Sequence, residues 1–121
     1  AELEFATKQL GSKVGMFGSA FPRQIPALSD VKAEAKKYTV NYEEFGIDSP
    51  YDYDPVWKTC RDVKIAPTFH STGSNQALRN SPSNFVYNHI GHFADAGHAA
   101  CKGIFLGGIT RRVPGLRGAF L

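Results

Sequence analysis

His70 closes the run KIAPTFH (64–70) and is followed by STG (71–73). A neutral imidazole binds zinc and other divalent ions well. A histidine at such a strand end can equally be a structural group hydrogen-bonded in a polar pocket. One imidazole does not hold a catalytic metal, which takes about three protein ligands plus water. His89 and His92 stand three residues apart in NHIGH (88–92), on one face of a helix. Such a pair can chelate a metal, line a substrate pocket, or serve as packing and capping groups. No acid separates them, so they do not form the HExxH pattern. His98 lies further along the same helical pattern and reads as structural or exposed.

Ser19 closes the apolar run KVGMFGS (13–19) and Arg23 follows it, in a loop expected to open on the same face as His70. A guanidinium pairs bidentately with a carboxylate, so Arg23 is a candidate for binding an acidic substrate as well as an ordinary surface arginine. Tyr51, Asp52, Tyr53 and Asp54 form an acidic and aromatic cluster. Asp54 reads as a helix N-cap and Asp52 as a solvated loop residue. Asn75, Arg79 and Asn84 lie in or just after the segment behind His70 and are candidate lid residues. No residue is assigned as catalytic acid, base or nucleophile. The sequence has no GxGxxG after a strand, no GxxxxGK[ST] and no GxSxG elbow, so dinucleotide, P-loop and α/β-hydrolase chemistry lack support.

These residues need elements to hold them. Leu3, Ala6 and Leu10 recur at helical spacing and Gly11 follows, which predicts a helix over 1–10. Residues 13–19 read as a buried strand. Residues 20–53 read as a loop-rich excursion with one or two helical turns near 31–38. Asp54, with Pro55 in the first turn, predicts a helix start, and Val56, Trp57, Cys60 and Val63 share its apolar face. The stretch 64–70 suits a strand, although Pro67 argues against a regular ladder there. Residues 71–83 have turn composition. A long helix is expected from Ser83 or Asn84, with Gly107-Gly108 as its end or a kink. LRGAFL (116–121) reads as a last strand. Strands alternating with helices imply an α/β fold with a parallel sheet. Three such strands leave large apolar edges, so the chain reads as a piece of a larger α/β protein.

The 121 residues fit one domain. Hydrophobic residues at 42% and charged residues at 21% argue against global disorder. No apolar run reaches the ~18 residues of a membrane span and no basic-then-apolar leader is visible, so a cytoplasmic protein without a membrane partner is expected. Fourteen Lys and Arg face 11 Asp and Glu, for a net +3, and the basic residues look scattered. No nucleic-acid partner is expected from them, beyond weak binding that salt would abolish. Cys60 and Cys101 are too far apart for a CxxC or zinc motif and read as buried thiols in a reducing compartment.

The runs DPVWKTCRDVKIAPTFHSTG (54–73) and NFVYNHIGHFADAGHAACKGIFLGGITRRVPGLRGAFL (84–121) resemble the amidohydrolase-related metal-dependent hydrolases. The branch is the one that includes aminocarboxymuconate-semialdehyde decarboxylase and the resorcylate decarboxylases. Members of it look like "DPVW…C…L…PVTFH" followed by "GG[VI]…RFP.LRFAFLEGG". The likeness covers about two thirds of the chain, and KVGMFGSAFPRQIPALSD looks like the preceding strand and loop. It implies a partial (β/α)8 TIM barrel over 1–121. Residues 13–19, 64–70 and 116–121 would be strands four, five and six, with flanking helices. A complete barrel takes ~250 residues. The resemblance implies a divalent metal, zinc first among the candidates, held at the barrel mouth of the full-length parent, with His70 as one ligand. Ser19, Arg23, His89 and His92 would contact a small-molecule substrate.

The leading expectation is a fragment of a metal-dependent hydrolase or decarboxylase, inactive alone and with homo-oligomerisation open. The alternative is a small non-enzymatic α/β domain that assembles through its apolar sheet edge.

Overall fold

A computed structural model describes residues 1–30, 32–36, 40–70 and 81–121. The elements run α1 (Glu2–Leu10), β1 (Val14–Gly18), β2 (Phe21–Gln24), a 3-10 turn (Pro26–Leu28), α2 (Ala33–Lys36), β3 (Val40–Glu43), α3 (Asp54–Asp62), β4 (Ala66–His70), α4 (Phe85–Leu106), α5 (Ile109–Arg112) and β5 (Ala119–Phe120). The expected α/β alternation is present. β1, β4 and β5 form one parallel three-stranded sheet in that order. The sheet is open, with β4 in its centre.

Local chemistry accounts for most element ends. Gly11 stops α1 in the left-handed region at φ 69°, and Ser12 N–H donates to Ala6 O at 3.0 Å. Asn84 caps α4, its Oδ1 accepting from Tyr87 N at 2.9 Å. It is therefore a structural cap, in addition to its expected lid position. Asn88 locks the entry to α4, accepting from Ser81 N at 2.7 Å and donating to Ser81 O at 2.8 Å.

Three expectations need correction. Asp54 is the first residue of α3 and makes no capping bond. Asp52 takes that task, accepting from Asp54 N at 2.9 Å, while the Asp54 carboxylate is held by Arg112 Nε and Nη2 at 2.8 and 3.0 Å. The excursion 20–53 is more than loop: β2 and β3 pair antiparallel across it. The last strand is only two residues long.

The sheet has two unlike faces. Phe17 and Phe69 are register partners. Their rings lie 6.1 Å apart, and each approaches Trp57 of α3, at 5.8 and 5.9 Å. Ala100 and Ile104 of α4, Ile109 of α5 and Val113 complete this core with Phe45. A Cβ at Gly15 would meet Leu3 of α1 at 3.7 Å. Helices α1, α3, α4 and α5 thus lie on one face. Side chains alternate along a strand, so Val14, Met16, Thr68 and His70 point to the other face. Val14 and Met16 are 62% and 79% exposed there. Among the described residues no helix covers that face.

A glycine contact fixes the excursion on α4. A Cβ at Gly46 would lie 2.1 Å from Gly103 O, and one at Gly107 would lie 1.7 Å from Gly46 O. Only glycines permit that backbone approach, and it seats Phe45 in the core.

Candidate functional site

The C-terminal ends of the parallel strands gather several of the expected residues. β4 ends on His70 beside the end of β1, and Ser19 N donates to His70 O at 3.0 Å. Leu121 N donates to Phe69 O at 3.0 Å, bringing the end of β5 alongside. The start of α4 leans over these ends. A Cβ at Gly97 would come within 2.7 Å of Leu121 O, so the helix there rests directly on the chain after β5.

His70 is half-buried, and its ring meets Phe93 edge-on with centroids 5.0 Å apart. Phe93 in turn meets His89 at 4.5 Å, and His89 stacks on Phe85 at 5.4 Å. His89 is exposed, whereas His92 is buried. Ser19 is also buried, and its Oγ makes no hydrogen bond to any described residue. A buried orphan hydroxyl is uncommon, because leaving it unpaired costs about 1–3 kcal/mol. His70 and His89 are therefore linked through Phe93, and Ser19 joins His70 through the backbone alone. His92 lies on the same helix, turned inward. His98 is exposed, as expected. Asn75 and Arg79 lie outside the described residues.

Arg23 is directed elsewhere. Its Nε donates to Glu43 Oε2 at 2.7 Å and its Nη2 to the Tyr53 hydroxyl at 3.3 Å. Its guanidinium also lies 5.3 Å from the Tyr51 ring centroid, within cation–π range. Glu43 is buried and accepts further bonds from Ser49 Oγ at 2.6 Å and the Tyr53 hydroxyl at 2.5 Å. Burial pushes the Glu43 carboxyl up, but the bonds from Ser49, Tyr53 and Arg23, with the charge of Arg23, outweigh it and hold the group below the usual carboxylate range. Tyr53 is pushed up, by burial first and then by its bond to Glu43. Arg23 is thus paired within the chain and keeps about half its side chain exposed.

Glu43 and Ser49 had no signal in the sequence, because a buried carboxylate is recognisable only once its partners from distant segments are known. The cysteines also differ from expectation. Cys60 is buried and its thiol is pushed up by desolvation, but Cys101 is exposed on α4.

His70 is the last residue of β4, the strand end expected of it. Even so, no group of three or more His, Cys, Asp or Glu side chains that could hold a metal ion occurs among the described residues. These residues therefore do not complete a metal site. No described helix is long and apolar enough to cross a membrane. No protein-family model matches the chain, and neither a curated protein nor a solved structure matches it.

Proposed function

We propose that this chain is part of a metal-dependent enzyme of the amidohydrolase type, hydrolysing or decarboxylating a small organic molecule. It would supply about three strands of a (β/α)8 barrel and one metal ligand, His70. The carrying observation is the placement of His70. It ends the central strand of a parallel sheet, its backbone carbonyl bonded by Ser19 N–H, at the C-terminal end where Phe93 of α4 meets its ring. Parallel sheets are normally covered on both faces, and doubly wound folds do so with helices on each side. A parallel sheet with consecutive strands in order, helices on one side and a bare apolar other side fits a slice of a barrel. In a barrel the strand C-termini form the active-site mouth.

Fold alone does not assign chemistry, so the residues carry the rest. His70 would donate an imidazole nitrogen to a divalent ion, zinc first, whose other ligands lie outside the described residues. The ion supplies Lewis-acid polarisation or a more acidic bound water. Phe93 fixes the His70 ring edge-on. His89, exposed on α4, would border the mouth, while Ser19 and His92, both buried, would support it from behind without meeting substrate. Arg23 is committed to Glu43 and Tyr53 and is not assigned to this mouth.

The test begins with the coding sequence on both sides of these codons. A reading frame that continues into further strands with metal-ligand histidines or acids is expected. In the protein so encoded, His70→Ala should lose at least tenfold in bound metal by elemental analysis, while His98→Ala on the exposed side of α4 keeps it. Start and stop codons flanking these residues, or full metal retention by His70→Ala, would overturn the proposal. The same bare face favours a second reading, a non-enzymatic domain that assembles through it. That reading predicts concentration-dependent self-association that metal does not change.

A further inference from the structure

At the opposite end of the sheet the chain gathers positive charge. Lys13 immediately precedes β1, Lys64 and Ile65 precede β4, and Arg117 stands two residues before β5. Together with Arg61 they line a cleft of about 620 Å³ whose remaining walls are Cys60, Ile65, Ala66 and Gly115. No carboxylate lines it. Arg61 is paired with its neighbour Asp62 at 2.8 Å. No described carboxylate forms an ion pair with Lys13, Lys64 or Arg117.

Arg61 and Lys64 alone would need no special account, because cations at a helix C-terminus offset the helix dipole. Lys13 and Arg117 do not belong to that helix end, and they make the cleft a convergence of three separate strand starts. The carbonyls at the end of α3 do not oppose an anion strongly. Thr59 O, Cys60 O and Arg61 O already accept from Val63, Ile65 and Lys64 N–H groups at 3.0, 3.0 and 3.1 Å. The parallel register fixes the gathering, since strands running in one direction start at one edge. The cleft has the size of a small-molecule site.

From this we propose that the cleft at the strand N-termini binds a small organic phosphate. The phosphate groups would lie among Lys13, Lys64, Arg61 and Arg117, and the organic body would rest on Ala66 and Gly115. Arginine supplies paired donors to phosphate oxygens, and lysine supplies point charge. The site lies at the far edge of the sheet from His70, and the proposal does not rest on the barrel reading. Such a ligand would act as an effector or a stabiliser.

The experiment is a titration of the full protein with inorganic pyrophosphate and with adenosine diphosphate, followed by calorimetry and by amide chemical shifts. Saturable binding is expected, with shifts at residues 13, 64–66 and 115–117. The diphosphate nucleoside should bind more tightly than pyrophosphate because it adds the apolar contact. Affinity should fall with rising salt. Lys13→Gln, Lys64→Gln and Arg117→Gln should each weaken binding about fivefold, the effect of losing one solvent-exposed charge contact. Lys8→Gln and Lys102→Gln, exposed lysines elsewhere, should leave it unchanged. All five lie on the surface, so folding is not at risk. Absence of saturable binding at millimolar ligand would overturn the proposal. So would equal weakening by the Lys8 and Lys102 substitutions, which would show general charge attraction. Tighter binding of a polyaspartate peptide than of either phosphate would overturn it too, by identifying an acidic protein segment as the occupant.

Discussion

Gly107→Ala separates backbone crowding from helix propensity. Gly107 has a helical backbone at φ −68° and ψ −6°. By propensity alone, alanine there should stabilise the chain by up to about 1 kcal/mol. The structure predicts the reverse. The new Cβ would lie 1.7 Å from Gly46 O and 2.3 Å from Gly46 C. A carbon–oxygen contact needs about 3.3 Å, so the segment around Gly46 must retreat by roughly 1.6 Å. It carries Phe45, which packs against Phe21, Tyr53 and Trp57 with ring centroids 5.1, 5.2 and 6.0 Å away. Full loss of a buried phenylalanine costs about 3–5 kcal/mol, so with propensity set against it the destabilisation reaches at most about 2–4 kcal/mol. For a chain of this size that ceiling corresponds to a Tm lower by roughly 6–16 °C. Gly91→Ala is the matched control, because nothing lies within 4 Å of a Cβ there. It should leave Tm unchanged or raise it by a few degrees. The assay is thermal and urea unfolding of both variants beside the parent. A Gly107→Ala protein at least as stable as the parent would show that α4 and the Gly46 segment are not in backbone contact.

Three further outcomes follow from the same geometry. Glu43 and Asp54 both have carboxyls held below the usual range in the folded state. Their stabilisation is therefore complete above the unfolded values of about 4 and is lost as pH falls through the lower folded ones. Glu44, raised by burial, opposes them; Glu43→Gln should flatten the acid limb of a stability-against-pH curve, and an unchanged limb would refute the Glu43 contribution. Ser19→Ala should keep stability within about 0.5 kcal/mol of the parent or raise it, since it deletes an unpaired buried hydroxyl; a loss above about 1.5 kcal/mol in urea unfolding would reveal a bond that the geometry lacks. Brief alkylation of the native protein should label Cys101 and spare Cys60 until the chain unfolds; equal labelling by mass spectrometry would contradict the burial of Cys60.

Elements with strong periodicity or strong punctuation were legible. The helices starting at Asp54 and near Asn84 carry long apolar stripes, and Gly11 and Gly108 mark ends through left-handed backbone. The β2–β3 pairing was not legible, because Pro22 and Pro26 mask it and its two strands are separated by a long connection. Asp54 was misread because a helix-starting aspartate followed by proline fits a cap. Arg112, 58 residues away, decides its role. His70 and Ser19 were legible as neighbours because each ends an apolar run, and parallel strands end together. Glu43 was not legible, since its burial depends on Arg23, Ser49 and Tyr53 closing around it.

The basic cleft shows how topology turns a scattered composition into a site. Along the chain Lys13, Lys64 and Arg117 look unrelated, separated by about fifty residues each time. Each stands just before a strand of the same parallel sheet. An antiparallel arrangement would send alternate strand starts to opposite edges and disperse the three charges. Parallel strands bring them to one edge and bring Ser19, His70 and the chain end to the other. The sheet therefore has a cationic edge and a histidine-bearing edge, each set by strand direction. Substitutions at one edge should leave ligand contacts at the other intact unless they disturb the Phe17–Phe69–Trp57 core between them. Cross-effects between Arg117→Gln and His70→Ala, measured as non-additive changes in stability, would show that the two edges are mechanically joined.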